Sequence, residues 1–543
     1  TAVFTKDKAG LWTDGRYFIQ AEAQLKGSGI TLYKSGESDV PTIEEFLKSE
    51  LKEGDVLGFD GRTVTYAQGK RYCHIADENG ASLKYSLDFA QNIWKERPEM
   101  SMESVFSLAD EYTGEKIGSK LEQIREIMKE NGCNAHVLSS LDDIAWLLNI
   151  RGNDIAYCPL VLSYAIVYNN SVELFADIRK FSDDIINLLA ENQVKIYPYE
   201  DIYRKVSEMT SEDKLLLDSA IMNYSLYQAI SKETVIIDKQ NPEILMKSVK
   251  NETQAENLRK AHLKDAVAHT KFMYWLKKNI GRVEITELSA SARLEGLRAE
   301  QEHFLGPSFG PISAYGEHGA IVHYSADEKS NVPLKEGKLF MTDTGGHYLE
   351  GSTDITRTVA LGEVGNLEKE HFTLVARAML RLANTVFLYG CSGANLDCIA
   401  REIFWKEGLN FNHGTGHGVG YLLNIHEGPI NFRWKEGERP APALEENMVI
   451  TDEPGIYIEG SHGIRLENEL LVRKTVKNEY GQFMNFEILT YVPIDLDAIL
   501  PEKMSTEEKE MLNHYHKQVY EKVSPYLSEE ERIWLKEYTR AVK

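Results

Sequence analysis

Hydrophobic spacing divides the chain into elements before any chemistry is considered. From residue 253 to 276, apolar positions recur at helical spacing (Leu258, Ala261, Ala266, Phe272, Met273, Leu276), which predicts one long helix. Residues 117–129 carry the pattern of an amphipathic helix, and the largely apolar run 160–167 predicts a buried strand. Near the end, Ser505-x-x-Glu508 and Ser528-x-x-Glu531 are capping boxes, which predict helices over about 506–522 and 529–541. No apolar stretch approaches the ~18–20 residues that cross a bilayer.

The same patterning repeats in the first half. AVFTKDKAGLWTDGRYF (2–18) and AIVYNNSVELFADIRKF (165–181) align at a constant offset of 163, matching Ala2 with Ala165, Leu11 with Leu174, Asp14 with Asp177, Arg16 with Arg179 and Phe18 with Phe181. GFDGRTVTY (58–66) and LLDSAIMNY (216–224) form a second pair, with Asp60 meeting Asp218 and Tyr66 meeting Tyr224. Two related α/β domains are the expectation, each built as strand, turn, strand, helix. The second copy is preceded by the 117–129 helix and LDDIAWLLNIRG (141–152), and the first has no counterpart to either. The sequence therefore reads as starting inside its first domain, short of roughly 50 residues of the repeat unit. The segment around Asn92 to Ser107 is expected to join the copies. Pro242 precedes the long helical pattern, so three domains are expected: 1–107, 108–245 and 246–543, the last ending in helices over about 501–543.

Charge and cysteine content narrow the function classes. A net charge of −23 over 543 residues repels phosphate backbones and anionic membranes, which argues against nucleic acid and membrane partners. The five cysteines are sparse and odd in number, with no Cys-x-x-Cys, so a reducing cytoplasm is the default setting.

Ligand-type residues concentrate in four segments of the third domain. In KLFMTDTGGHYLEGSTDITRTVALG (338–362), Asp343 ends one apolar strand and Asp354 opens another, with glycines between. Antiparallel pairing would set the two carboxylates side by side, where they repel unless a proton or cation intervenes. In FNHGTGHGVGYLLNIHEGP (411–429), His413 and His417 are four apart, but Gly414, Gly416, Gly418 and Gly420 argue against a helix and for a loop or distorted strand. In VITDEPGIYIEG (449–460), Val449, Thr451 and Glu453 share a strand face, and Pro454-Gly455 breaks the strand just after Glu453. In GIRLENELLV (463–472), Arg465, Glu467 and Glu469 share a face. Asp343, Asp354, His417, Glu453 and Glu467 form an oxygen-rich set that favours Mn²⁺, Co²⁺, Zn²⁺ or Fe²⁺ over a thiolate-type structural zinc, and four carboxylates suit two divalent ions. Taken singly, each residue has an ordinary structural reading as a cap or surface pair; the ordered set is what carries the inference.

At these residues the chain resembles the pita-bread metallopeptidases, which include methionine aminopeptidase, prolidase and aminopeptidase P. HGTGHGVG, NIHEGP, DEPGIY and GIRLEN are close to the spellings of the Xaa-Pro aminopeptidases, and LWTDGRYF, LDDIAWLLNIRG and GAIVHY to the long, three-domain cytosolic type. The resemblance implies two creatinase-N-like α/β domains followed by a pita-bread catalytic domain, a homodimer, and two divalent ions, Mn²⁺ foremost. It implies that Asp343 holds one ion, Asp354 and Glu467 bridge both, and His417 and Glu453 complete the second site. Glu453 would be the base for a metal-held water. His413 and His426 would lie near the scissile carbonyl, and His323, Tyr457 and Arg465 would face the proline. Arg16 and Trp12 would either close over the substrate or hold their own fold. The implied substrates are peptides with a penultimate proline. Prolidase, which cuts dipeptides, shares the ligands; the duplicated front half favours aminopeptidase P over it and over methionine aminopeptidase. A non-catalytic peptide-binding module would have lost ligands, and here all five positions are filled. Departures from the family spelling are Glu317-His318 for Pro-Asn, His347 for Gln and Asn447 for Gly.

Overall fold

The computed structural model describes residues 1–543 apart from Asn92, Glu436 and Glu438. Asn92, where the expected joining segment starts, therefore lies outside the described residues. The chain folds as two units, Thr1–Asp14 with Ala21–Lys247, and Gly15–Gln20 with Ser248–Lys543.

The first unit shows its duplication in strand register. Ala2 pairs with Leu11 in an antiparallel hairpin, and Ala165 pairs with Leu174 in another, each member displaced by the offset seen in the sequence. In both copies the second hairpin strand then takes a parallel neighbour, Thr31–Lys34 beside Ala9–Thr13 and Val194–Tyr197 beside Val172–Phe175. Both copies add a further parallel pair, Val56–Gly58 with Ser82–Lys84 and Lys214–Leu217 with Val235–Asp238. Thr65 and Asn223 cap matching helices and bridge each other. In the second copy the strand Ala135–Leu138 stands between Tyr164–Tyr168 and Lys214–Leu217, closing a six-stranded sheet. Ala135, Val137, Ile166, Phe175, Leu215 and Leu217 fill its core.

One expectation fails here. Only Tyr164–Tyr168 is a strand; Leu160, Val161 and Ser163 are buried and Leu162 half-buried, but the segment is bonded elsewhere. Leu160 O accepts from Asp154 N–H and Leu162 N–H donates to Asp154 Oδ2, so apolarity reported burial and not pairing.

In the second unit the predicted long helix runs Glu252–Asn279, opened by an Asn251/Gln254 capping box. It packs with Glu287–Ala299, Asn366–Ala383 and Gly393–Trp405 around one core that reaches from Ala266 to Leu535. Two sheets carry the chemistry. One is three-stranded: Ile312–Tyr315, Lys338–Thr344 and Ile355–Leu361, all antiparallel. The other has six strands in the order Phe387–Leu388, Gly481–Ile488, Asn468–Asn478, Val449–Asp452, Gly416–Val419, His426–Phe432. Both C-terminal capping boxes form, on Thr506–Val523 and Glu529–Tyr538, and Leu512, Tyr515, Val519 and Leu535 from these helices enter the same core. Asn447 sits at φ 68°, a left-handed conformation that asparagine tolerates better than most residues, and its side chain is fixed by Glu252.

Two histidines are sealed in this core. Burial lowers the pKa of His269 from 6.5 to about 3, helped by Arg298, and that of His516 to about 3, helped by Arg357. Each stays neutral when folded and takes a proton freely when unfolded. Below about pH 6.5 the unfolded chain thus binds more protons, and stability falls as the pH drops towards 3. We expect urea unfolding of the wild type to lose about 2–3 kcal/mol per histidine between pH 7 and pH 4.5. His516→Gln should remove one such increment; an unchanged pH dependence in the variant would refute this account.

Candidate active site

Four chain segments converge on one group of acids. Asp343 pairs with Thr356 and Thr344 with Ile355, so Asp354, just before Ile355–Leu361, lies diagonally past Asp343 and not directly opposite it. Glu467 stands between the strands His462–Arg465 and Asn468–Asn478; its N–H donates to Thr356 O (3.1 Å) and its Oε2 accepts from Thr356 Oγ1 (2.7 Å). Glu453 follows Val449–Asp452, where Pro454 ends the pairing, and its N–H donates to Thr415 O at 2.8 Å. The glycine-rich segment is a strand, Gly416–Val419, irregular between His417 and Gly418. Gly416 is required by close approach, because a Cβ there would meet Thr451 O at 1.8 Å.

His417 is oriented for ligation. Its Nδ1 bonds Gly418 O (2.9 Å), which turns Nε2 towards Asp354 Oδ2 at 3.5 Å and Glu453 Oε1 at 3.8 Å. Asp354, His417 and Glu467 each offer a donor atom within 4.8 Å of the other two, the one such group found among the described residues. Burial, then the charges of Asp343 and Glu453, push Asp354 well above the carboxylate range. Burial, then Asp354 and Asp343, do the same to Glu467, and burial raises Glu453. Asp343 has one oxygen satisfied: Arg465 donates to its Oδ2 through Nη2 and Nε, while the buried Oδ1 has no hydrogen-bond partner.

A chain of polar contacts leads away from the acids. Arg465 Nη1 donates to Tyr457 Oη (2.7 Å), and Tyr457 Oη contacts His413 Nε2 (2.8 Å), whose Nδ1 bonds Gly414 O (2.7 Å). With Nδ1–H donating, Nε2 accepts the tyrosine proton and the imidazole is neutral. Burial, then Arg465, hold His413 well below its ordinary pKa, and burial lifts Tyr457 to about 12. The His426 ring lies 4.3 Å from that of His417 and is the solvent-exposed member of the set. Packing on its buried side, with His417, His323 and Arg16 nearby, lowers its pKa to about 3. His323 Nδ1 contacts Tyr17 Oη at 2.8 Å, and Arg16 lies over the Tyr17 ring; both Arg16 and Tyr17 are in the Gly15–Gln20 segment of the second unit. Trp12 is placed otherwise: its indole donates to Pro41 O and stacks on Tyr33 inside the first unit.

The sequence of residues 256–474 matches metallopeptidase family M24, and 482–542 match the C-terminal region of that family. Residues 1–84 and 96–254 each match the creatinase/prolidase N-terminal domain. Aminopeptidase P1 of Arabidopsis thaliana is 34% identical over 592 aligned residues, spanning 100% of this chain and 91% of that protein. Xaa-Pro aminopeptidase 1 of Dictyostelium discoideum is 35% identical over 97% of this chain and 85% of its own length. The crystal structure of the Caenorhabditis elegans X-prolyl aminopeptidase, described as a cytosolic enzyme with a di-nuclear active site, superposes with a TM-score of 0.94 at 34% identity, covering 100% of this chain and 90% of that one. The chain belongs to the Xaa-Pro aminopeptidase family. A Bacillus anthracis Xaa-Pro dipeptidase, 24% identical with a TM-score of 0.56 over 70% of this chain and 99% of its own, shares the fold.

The fold of this Xaa-Pro aminopeptidase family member is two creatinase-N-type α/β domains followed by the pita-bread domain. The contacts of several residues around the site escaped sequence reasoning. Thr356 and Thr451 lie on strands, two positions from Asp354 and Glu453 at the strand ends. Thr356 serves Glu467, and Thr451 accepts from His417 N–H (3.1 Å) while donating to Glu453 (3.4 Å). Glu469 accepts from Asp354 N–H at 2.6 Å. Tyr17 adjoins Arg16 in a motif noted for Trp12 and Arg16 and not for its tyrosine. The departures lie away from the acids: His318 bonds the buried Glu287, and His347 bonds Ser352.

Because Asp354 is surrounded by like charge out of water, Asp354→Asn should stabilise the metal-stripped protein by on the order of 1 kcal/mol, the worth of about one pKa unit. Thermal unfolding after chelation checks this; a lower midpoint in the variant would contradict the described repulsion.

Proposed function

We propose that this protein removes the N-terminal residue from peptides whose second residue is proline, with two divalent cations held by Asp343, Asp354, His417, Glu453 and Glu467. The observation that carries the reading is the convergence of these four carboxylates and one imidazole. Asp343 keeps an unsatisfied buried oxygen, three acids are raised by burial and by neighbouring carboxylates, Asp343 among them in each case, and His417 turns its Nε2 into the cluster. The oxygen-rich character of this set fits Mn²⁺ first, with Zn²⁺, Co²⁺ or Fe²⁺ as alternatives. In this reading Asp343 would serve one ion, Asp354 and Glu467 would serve both, and His417 and Glu453 would serve the second. Bound there, the ions supply Lewis-acid polarisation and acidify water.

The remaining steps belong to the chain. Glu453, a buried acid of raised basicity, takes the proton of the attacking water and returns it to the proline nitrogen as that bond breaks. His413, neutral and fixed by Tyr457, and the nearby His426 stand ready to hydrogen-bond the reacting carbonyl group. The substrate's free amine is drawn to the carboxylates. His323, Tyr457 and Arg465 receive the proline ring, which has no N–H to offer an ordinary backbone acceptor, and Arg16 flanks the same side.

Domains at 1–107, 108–245 and 246–543, a homodimer and a cytoplasmic setting complete the proposal. Five free cysteines and the cytosolic description of the nematode relative support the setting, and the charge of −23 argues against nucleic acid.

Metal-stripped protein given back Mn²⁺ should release arginine from Arg-Pro-Pro and not from Arg-Ala-Ala, and Glu453→Gln should lower kcat by about 10²–10⁴-fold. Release from an Ala-Pro dipeptide alone would make it a dipeptidase, and metal-independent release would overturn the reading.

A further inference from the structure

Behind the histidine segment lies a buried ion pair that the mechanism above leaves without a role. Asp397 and Arg401 sit one turn apart on the helix Gly393–Trp405, 0% and 1% exposed. Arg401 Nε donates to Asp397 Oδ2 (2.6 Å), and the rest of its fork goes to one short stretch of main chain and its flanks. Nη1 donates to Asn410 Oδ1 and Phe411 O, both at 3.0 Å, and Nη2 donates to His413 O at 2.6 Å. The guanidinium lies 3.9 Å from the centre of the Phe411 ring, which also neighbours the His413 ring at 4.9 Å and the Phe404 ring at 5.2 Å. The second oxygen of Asp397 is also engaged, accepting from Thr415 Oγ1 at 2.5 Å. Thr415 is fully buried, and its carbonyl accepts the Glu453 N–H at 2.8 Å.

One helical turn therefore grips the main chain at His413 and, through Thr415, at Glu453. We propose that Asp397, Arg401 and Thr415 are positioning residues for the reaction, fixing the separation of His413 from Glu453. The proposal rests on the function above and deepens it. A planar fork is needed because two carbonyls and an amide oxygen must be held at set angles; an ammonium would satisfy Asp397 and leave acceptors unmet. Displacing a reacting group by about 1 Å can cost on the order of a hundredfold in rate.

The test uses the full chain with Arg401→Lys, Thr415→Val and Thr415→Ser. On Arg-Pro-Pro with saturating Mn²⁺, R401K and T415V should lose about 10–100-fold in kcat with little change in KM, counted per folded, metal-loaded molecule. T415S, which keeps the hydroxyl donor, should recover most of the loss. If kcat per folded, metal-loaded molecule stays within about twofold of wild type, or if losses merely track metal or folded fraction, the proposal is wrong. Geometry is also read without turnover. The imidazole ¹⁵N signals of His413, assigned by their loss in H413Q, should shift in R401K and T415V and not in T415S. Unchanged signals overturn the proposal whether or not the wild type cleaves the peptide, whereas shifted signals in a wild type that fails to cleave would sink the proposed function and leave the clamp standing.

Discussion

Everything at the site follows from forcing like charges together out of water. Asp354, Glu453 and Glu467 arrive from separate segments, burial disfavours the ionised form of each, and the charges of Asp343 and Glu453 add to the burden on Asp354 and Glu467. A flexible surface would let them separate. Here they cannot, because the strands that carry them have flanking residues such as Ile355, Ile450 and Leu466 at 0% exposure in one core. Folding energy spread over the whole unit is thereby held as local electrostatic tension, and the natural relief for such tension is a cation.

Two buried arginines set how far that tension extends. Arg465 neutralises one oxygen of Asp343, leaves the other unmet, and carries order outward through Tyr457 to His413. Arg357 works on the opposite side: its donors reach Thr356 O, Glu467 O, Asn468 Oδ1, Val492 O and Tyr515 Oη. Tyr515 belongs to the helix Thr506–Val523, so a C-terminal element remote in sequence from the acids braces the strand carrying Glu467. Capping boxes announced that helix, but only the Arg357 contacts give it a part in the site.

What could be read from sequence divides along physical lines. Periodicity and caps report local free energy, so the starts of the helix at 252–279 and of both C-terminal helices were legible to within one residue and their ends to within three. The duplication was legible because equal offsets survive in register. The acids and His417 stood out by residue type and order. Contacts that close over long sequence separations left little trace: Tyr17 with His323, Thr356 with Glu467, and the grip of Arg401 on residues 410–413. Threonine and tyrosine hydroxyls are common, and nothing in a single sequence says which of them meets a carboxylate. The run at 160–167 failed for a related reason. Apolarity records burial, while strand pairing depends on where the main-chain groups find partners.

The register of one strand pair shows how such long-range detail becomes chemistry. His417 pairs with Asn431, yet Gly418 pairs with Glu427 and Val419 with His426. In an unbroken antiparallel ladder starting from the first of these pairs, His426 would stand opposite Leu422. Looping three residues out of the second strand moves it three places nearer, and the two imidazoles come within 4.3 Å of each other. The glycines permit this, since a Cβ on Gly418 would meet Glu427 O at 2.3 Å. A bulge paired with glycine thus delivers a second histidine to the rim of the acid cluster, on a strand whose unbroken register would have carried it away.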